Sequence, residues 1–79
     1  MDSRFSPLEN QILGVIGKQA ISIREVTKEI YDGEAIDKNN VVASAIRRIN
    51  KKCGRLQLKW FIDGIGQGRG GRQVWRVNR

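Results

Sequence analysis

The apolar residues of this chain change period at Gly54, and that change fixes two kinds of local structure within one short sequence. Ahead of Gly54 they recur at three- and four-residue spacing, as on the buried stripe of a helix. After it they alternate, as on the half-buried face of a strand. The expected fold class is α+β, with helices first and strands last.

Start and stop signals divide the helical part. Ser6-Pro7-Leu8-Glu9 offers an N-cap, a proline at the first helical position and the glutamate of a capping box. With Leu8, Ile12, Val15 and Ile16 on one stripe, it predicts a helix over about residues 7–17, stopped by Gly17. A short link or brief strand at Gln19-Ala20-Ile21 leads to a second capping box, Ser22-Ile23-Arg24-Glu25. That box opens a helix over about 23–31 with Ile23, Val26 and Ile30 inward. A glycine and three acids between Asp32 and Asp37 break the pattern as a loop, and Asp37 or Asn39 can cap the next helix. This third helix is expected over about 39–53, its core stripe formed by Val42, Ile46, Ile49 and Cys53, with Gly54 closing it in a left-handed conformation.

Alternation then predicts strands over about 56–63 and 72–77, joined by a tip that is rich in glycine from Asp63 to Gly71. Trp75 and Val77 are expected on the inward face, while Trp60 is left open between core and solvent. Seventy-nine residues suit one domain, residues 1–79. Three helices followed by a two-stranded β-hairpin is the layout of a winged helix-turn-helix.

Charge is divided as sharply as periodicity. Residues 1–37 carry a net −3 and residues 38–79 a net +10. A basic half on a small domain concentrates positive potential where phosphates can meet it. Membrane is the weaker partner, because no apolar run approaches the roughly 18 residues of a spanning helix and no signal-peptide pattern opens the chain. Cys53 is the single cysteine and there is no histidine. An intrachain disulfide is thereby excluded, and zinc ligation or a histidine-based acid and base disfavoured. An enzyme is not expected, nor a cofactor or metal; Cys53 reads as a buried small hydrophobe.

The third helix carries the candidate chemistry. Asn40, Ser44, Arg47 and Lys51 recur at i, i+4, i+7 and i+11, with Arg48 at the edge of their face and Asn39 at its start. Arginine can grip guanine O6 and N7 with two hydrogen bonds, asparagine can do the same for adenine, and lysine neutralises phosphate. No acid interrupts the chain from Lys38 to Lys59, whereas an ordinary solvated face mixes signs. At the hairpin tip Arg69, Gly70 and Arg72 form a flexible basic segment that suits a sugar-phosphate backbone, since a narrow minor groove attracts arginine. The tip also has the spacing of a dinucleotide fingerprint, but a strand is expected where that motif requires a helix. Arg69-Gly70-Gly71-Arg72 is likewise a single unit of the arginine-glycine-glycine type found in RNA-binding tails, a weak signal outside a disordered repeat.

The run from Val42 through Ile46-Arg47-Arg48-Ile49 to Lys51-Lys52-Cys53 resembles the recognition helix of OmpR/PhoB-type winged-helix regulators. Trp75-Arg76-Val77 is similar to the end of that family's wing. The resemblance implies DNA binding with the third helix in the major groove and the wing in the neighbouring minor groove. It implies base or phosphate contacts by Arg47 and Arg48, Ser44 facing the groove, and wing arginines on the backbone. The family's N-terminal sheet and receiver domain have no counterpart in the residues ahead of Leu8, so phosphorylation-driven dimerisation is not carried over. The expectation is a sequence-selective double-stranded DNA-binding protein, a small bacterial or phage transcription regulator, cytoplasmic and nucleoid-associated when bound, with a homodimer on DNA as an option. Two alternatives stand beside it. One is a winged-helix protein-interaction module, an antirepressor or adaptor, with the loop from Asp32 to Asp37 as a contact for a protein partner. The other is an RNA or single-strand binder using Arg69, Arg72 and Trp60.

Overall fold

The computed structural model describes residues 3–32, 36–66 and 72–79. They form an α+β arrangement: α1 (Pro7–Val15), β1 (Ile21–Ser22), α2 (Ile23–Tyr31), a 3-10 turn (Ile36–Lys38), α3 (Asn39–Arg55), β2 (Trp60–Ile65) and β3 (Gln73–Asn78). The three strands make one antiparallel sheet in the order β1-β3-β2.

Capping determines where the first two helices begin. Ser6 Oγ accepts from the Glu9 N–H at 3.2 Å, and Glu9 Oε1 accepts from the Ser6 N–H at 2.7 Å, which completes the box. At α2 the Ser22 hydroxyl accepts from the Glu25 N–H at 3.1 Å. Ser22 is at the same time a strand residue, opposite Gln73 of β3. The link after α1 runs along the sheet as well, where the Arg76 N–H donates to the Gly17 carbonyl at 2.7 Å.

The core is where the three helical stripes meet one face of the sheet. Ile12 and Ile16 of the first segment, Ile23 and Val26 of α2, and Val42, Ala45, Ile46, Ile49 and Cys53 of α3 are buried with Ile62 and Val74 of the hairpin. Phe5, ahead of α1, closes this cluster. Each of the valine and isoleucine side chains contributes on the order of 1.5–3 kcal/mol on removal from water. The stripe expected on α3 is therefore present, with Ala45 added.

Three expectations are corrected. The sheet has three strands and not two, because the brief strand that is one option for the link at Gln19-Ala20-Ile21 forms at Ile21 and Ser22, which pair with Val74 and Gln73 and add β1 to the hairpin. The inward apolar residue of β3 is Val74, 1% exposed, while Trp75 and Val77 occupy the opposite face. Side chains alternate along a strand, and the pairing of Val74 with Ile21 and Gly64 sets which half faces the helices. Finally, Gly54 does not end α3. The helix continues through Arg55, and the left-handed residue beyond it is Gln57, with φ of 54°. Two bonds close this end, from the Leu58 N–H to the Cys53 carbonyl at 2.9 Å and from the Gln57 N–H to the Gly54 carbonyl at 3.2 Å. This is a Schellman arrangement. It occupies residues 56–59, so the first hairpin strand begins at Trp60 and not near Leu56.

Candidate nucleic-acid interface

At ~100° per residue, Asn40, Ser44, Arg47 and Lys51 fall within roughly a 60° sector of α3, opposite the core stripe. Asn40, Arg47 and Lys51 are exposed and Ser44 is half-buried. The two extra residues of α3 bring Arg55 to the same side, exposed, and widen the sector to about 80°. Sequence reasoning misses Arg55, because a helix ended by Gly54 excludes it. Among the described residues none of Arg47, Lys51 and Arg55 makes an ion pair.

The other candidates divide. Asn39 lies one residue before this face and on its other side, toward the core; its Oδ1 is buried without a hydrogen-bond partner among the described residues. It does not cap α3, whose N-cap is Lys38 with no side-chain cap bond. Arg48 stands at the edge nearest α1, where its Nε is 3.8 Å from Glu9 Oε2. Arg69 and Gly70 lie outside the described residues, as do 33–35 of the loop expected to contact a protein partner. Asp32 and Asp37 of that loop are exposed.

Arg72 has a defined seat. Its carbonyl accepts from the Ile23 N–H at 2.9 Å, which ties the base of the hairpin to the start of α2. Its side chain crosses Gly64 so closely that a Cβ added there would lie 2.8 Å from the Arg72 Nε and 3.1 Å from the Gln73 carbonyl oxygen. Glycine at 64 therefore lets the guanidinium rest on the strand. Arg72 shares the parity of Val74 and so stands on the sheet face that packs against α3.

Other cations of the basic half are engaged within the fold. Lys52 Nζ donates to Glu9 Oε1 at 2.6 Å and lies 5.5 Å from the Phe5 ring centroid. The Arg76 guanidinium lies 4.2 Å from the centroid of Trp60, and that of Arg79 5.0 Å from Phe61. Such contacts are favourable because the ring face is negative. Trp60, left open by its sequence, is half-buried and tilted against Phe5 with centroids 5.9 Å apart. Phe61, Trp75 and Val77 are half-buried on the outer sheet face, and Ile65, near the hairpin tip, is 67% exposed.

Glu9 is the residue that sequence reasoning undervalues. Its spacing from Ser6 marks it as a cap, and it is also a buried carboxylate, 1% exposed, facing the cations of α3. Burial pushes its pKa upward, but the hydrogen bonds from Lys52 and Ser6 outweigh this and hold it below the ordinary glutamate value. No spacing in the sequence joins residue 9 to residue 52; the signal available is the fit of one acid in α1 to an acid-free α3.

No known protein family, curated protein or solved structure matches this chain. The chemistry must be read from the side chains themselves. Among the described residues no group of three or more histidine, cysteine or acidic side chains could hold a metal ion. Cys53 is buried, and burial pushes its thiol pKa up, against a reactive thiolate. No described helix is long and apolar enough to cross a membrane. What the surface offers, among the described residues, is a row of unpaired cations with one amide and one hydroxyl on a single helix, and one more arginine seated on the hairpin.

Proposed function

We propose that this chain binds double-stranded DNA in the manner of a winged helix-turn-helix, with α3 in the major groove and the hairpin against the minor groove or the backbone. The observation that carries the reading is the solvent face of α3. There Asn40, Ser44, Arg47, Lys51 and Arg55 stand together with no acid among them and, among the described residues, no ion pair. An α-helix fits the width of the major groove, and these groups match base edges and phosphates. Arg72 on the α3 side of the sheet adds a contact for the adjoining backbone. Base discrimination is assigned to Asn40, Ser44, Arg47 and Arg48, and phosphate affinity to Lys51, Arg55 and Arg72. The biological role that fits is that of a small bacterial or phage transcription regulator.

Fluorescence anisotropy with a labelled duplex over a range of salt concentrations tests this. Three phosphate-neutralising cations predict a log-log salt slope of about −3. Arg47→Ala is expected to weaken binding and relax sequence preference among duplexes selected from a random library. Duplex binding that is absent or independent of salt would overturn the reading. Palindromic selected sites would indicate a dimer on DNA.

A further inference from the structure

We propose that Glu9 is a positioning residue for Arg48, bracing the guanidinium through Nε so that its two terminal nitrogens are presented as a fork to the O6 and N7 edge of a guanine. The inference rests on the duplex-binding reading and assigns a base to one residue of that face. Glu9 Oε1 is satisfied by the Ser6 N–H at 2.7 Å and Lys52 Nζ at 2.6 Å. Glu9 Oε2 is buried and accepts no hydrogen bond among the described residues. A buried carboxylate oxygen without a donor is costly, so this atom favours any donor that can reach it.

The donor at hand is Arg48 Nε, 3.8 Å away. A normal N–H···O distance is ~2.9 Å, so the bond closes with a shift of less than about 1 Å. The nitrogen involved matters more than the distance. A carboxylate that took the terminal nitrogens would consume the fork, whereas one that takes Nε leaves both terminal NH2 groups for a two-pronged contact. The Arg48 side chain is 55% exposed while its Glu9 partner is 1% exposed, so the head of the arginine reaches solvent from a buried anchor. Lys52 is held on the other oxygen and does not compete. Among the described residues Arg47, the adjacent arginine of α3, has no such brace.

The test uses a duplex selected by the wild-type chain from a random library, with each guanine replaced in turn by 7-deazaguanine, which lacks the N7 acceptor. Wild type should lose about 10- to 150-fold in affinity at one position, the range for one hydrogen bond from a charged donor, since O6 remains as the second acceptor. Arg48→Met keeps the apolar stem but carries no donor, so sensitivity at that position should vanish. Glu9→Gln, whose side chain still suits the capping box, should lose the same sensitivity. Hydrogen exchange of the Arg48 Nε–H, measured by NMR in the wild-type chain without DNA, needs no variant: it should be slower than that of Arg47. Retained 7-deazaguanine sensitivity in Arg48→Met, or equal exchange at the two arginines, would overturn the proposal. Duplex binding without sensitivity at any guanine overturns it too and leaves the duplex reading intact. A wild-type chain that binds no duplex brings down both.

Discussion

Asn50 does for the outer edge of the sheet what a neighbouring strand would do. Its side-chain amide donates to the Ile62 carbonyl at 2.7 Å and accepts from the Ile62 N–H at 2.8 Å, so both main-chain groups at the middle of β2 are satisfied from α3. An edge strand with unpaired main-chain groups is a template for unwanted pairing, and a part-buried group left unsatisfied is destabilising. Asn50→Ala should therefore cost on the order of 1–3 kcal/mol. At roughly 4–8 °C per kcal/mol for a domain of this size, differential scanning calorimetry would register it as a clear fall in Tm. An unchanged Tm would mean that water replaces the amide without loss. In the sequence Asn50 is one more polar residue on the flank of a helix. Its role depends on the distance between α3 and β2, which no local pattern encodes.

The end of α3 shows how an element can outrun its most obvious stop signal. Gly54 is a reasonable terminus on local grounds, because glycine adopts a left-handed backbone at little cost. The turn instead places Gln57 at that conformation, ahead of Leu58, which packs against the core. The helix that brings Leu58 inward must continue through Arg55, and burial of Leu58 together with the two closing hydrogen bonds outweighs glycine's local preference. Gly54 is then a helix-interior glycine with open space where a Cβ would stand. Gly54→Ala should stabilise the protein by roughly 0.5–1 kcal/mol. Gln57→Gly should add a similar amount, since a left-handed backbone costs about 1–2 kcal/mol for most L-residues. The double variant moves one glycine by three positions and should raise the urea midpoint above that of either single change. A lower midpoint for Gly54→Ala would restore Gly54 as the left-handed terminator. The beginnings of α1 and α2 were legible where this end was not, because an N-cap is made by a serine side chain that the sequence displays, whereas the end of α3 is closed by main-chain bonds open to any residue.

Across the whole molecule, acid and base meet at one buried point where Glu9 of α1 faces Lys52 and Arg48 of α3. The folded carboxylate has a pKa below its ordinary value, so the folded state binds that proton less tightly than the unfolded chain does. The resulting stabilisation is present above the unfolded value near 4.5 and is lost as pH falls through the lower folded value. Urea midpoints measured between neutral pH and about pH 2 should show the wild-type advantage over Glu9→Gln shrinking below that point; a constant gap would refute the linkage. The same meeting divides the cations of the basic half. Lys52, Arg76 and Arg79 are occupied within the fold, while Arg47, Lys51 and Arg55, on one side of α3, make no ion pair among the described residues. By itself the sequence determined what local physics controls: the capped starts of two helices, the buried stripe of α3, the polar face opposite it and the division into helices and strands. Each of these depends on residues a few positions apart. Tertiary structure alone decided which face of β3 turns inward, where α3 stops, that Ile21 and Ser22 join the hairpin by pairing with β3, and which cations the fold occupies. Those outcomes depend on partners far along the chain, and their energies exist only once the elements have packed.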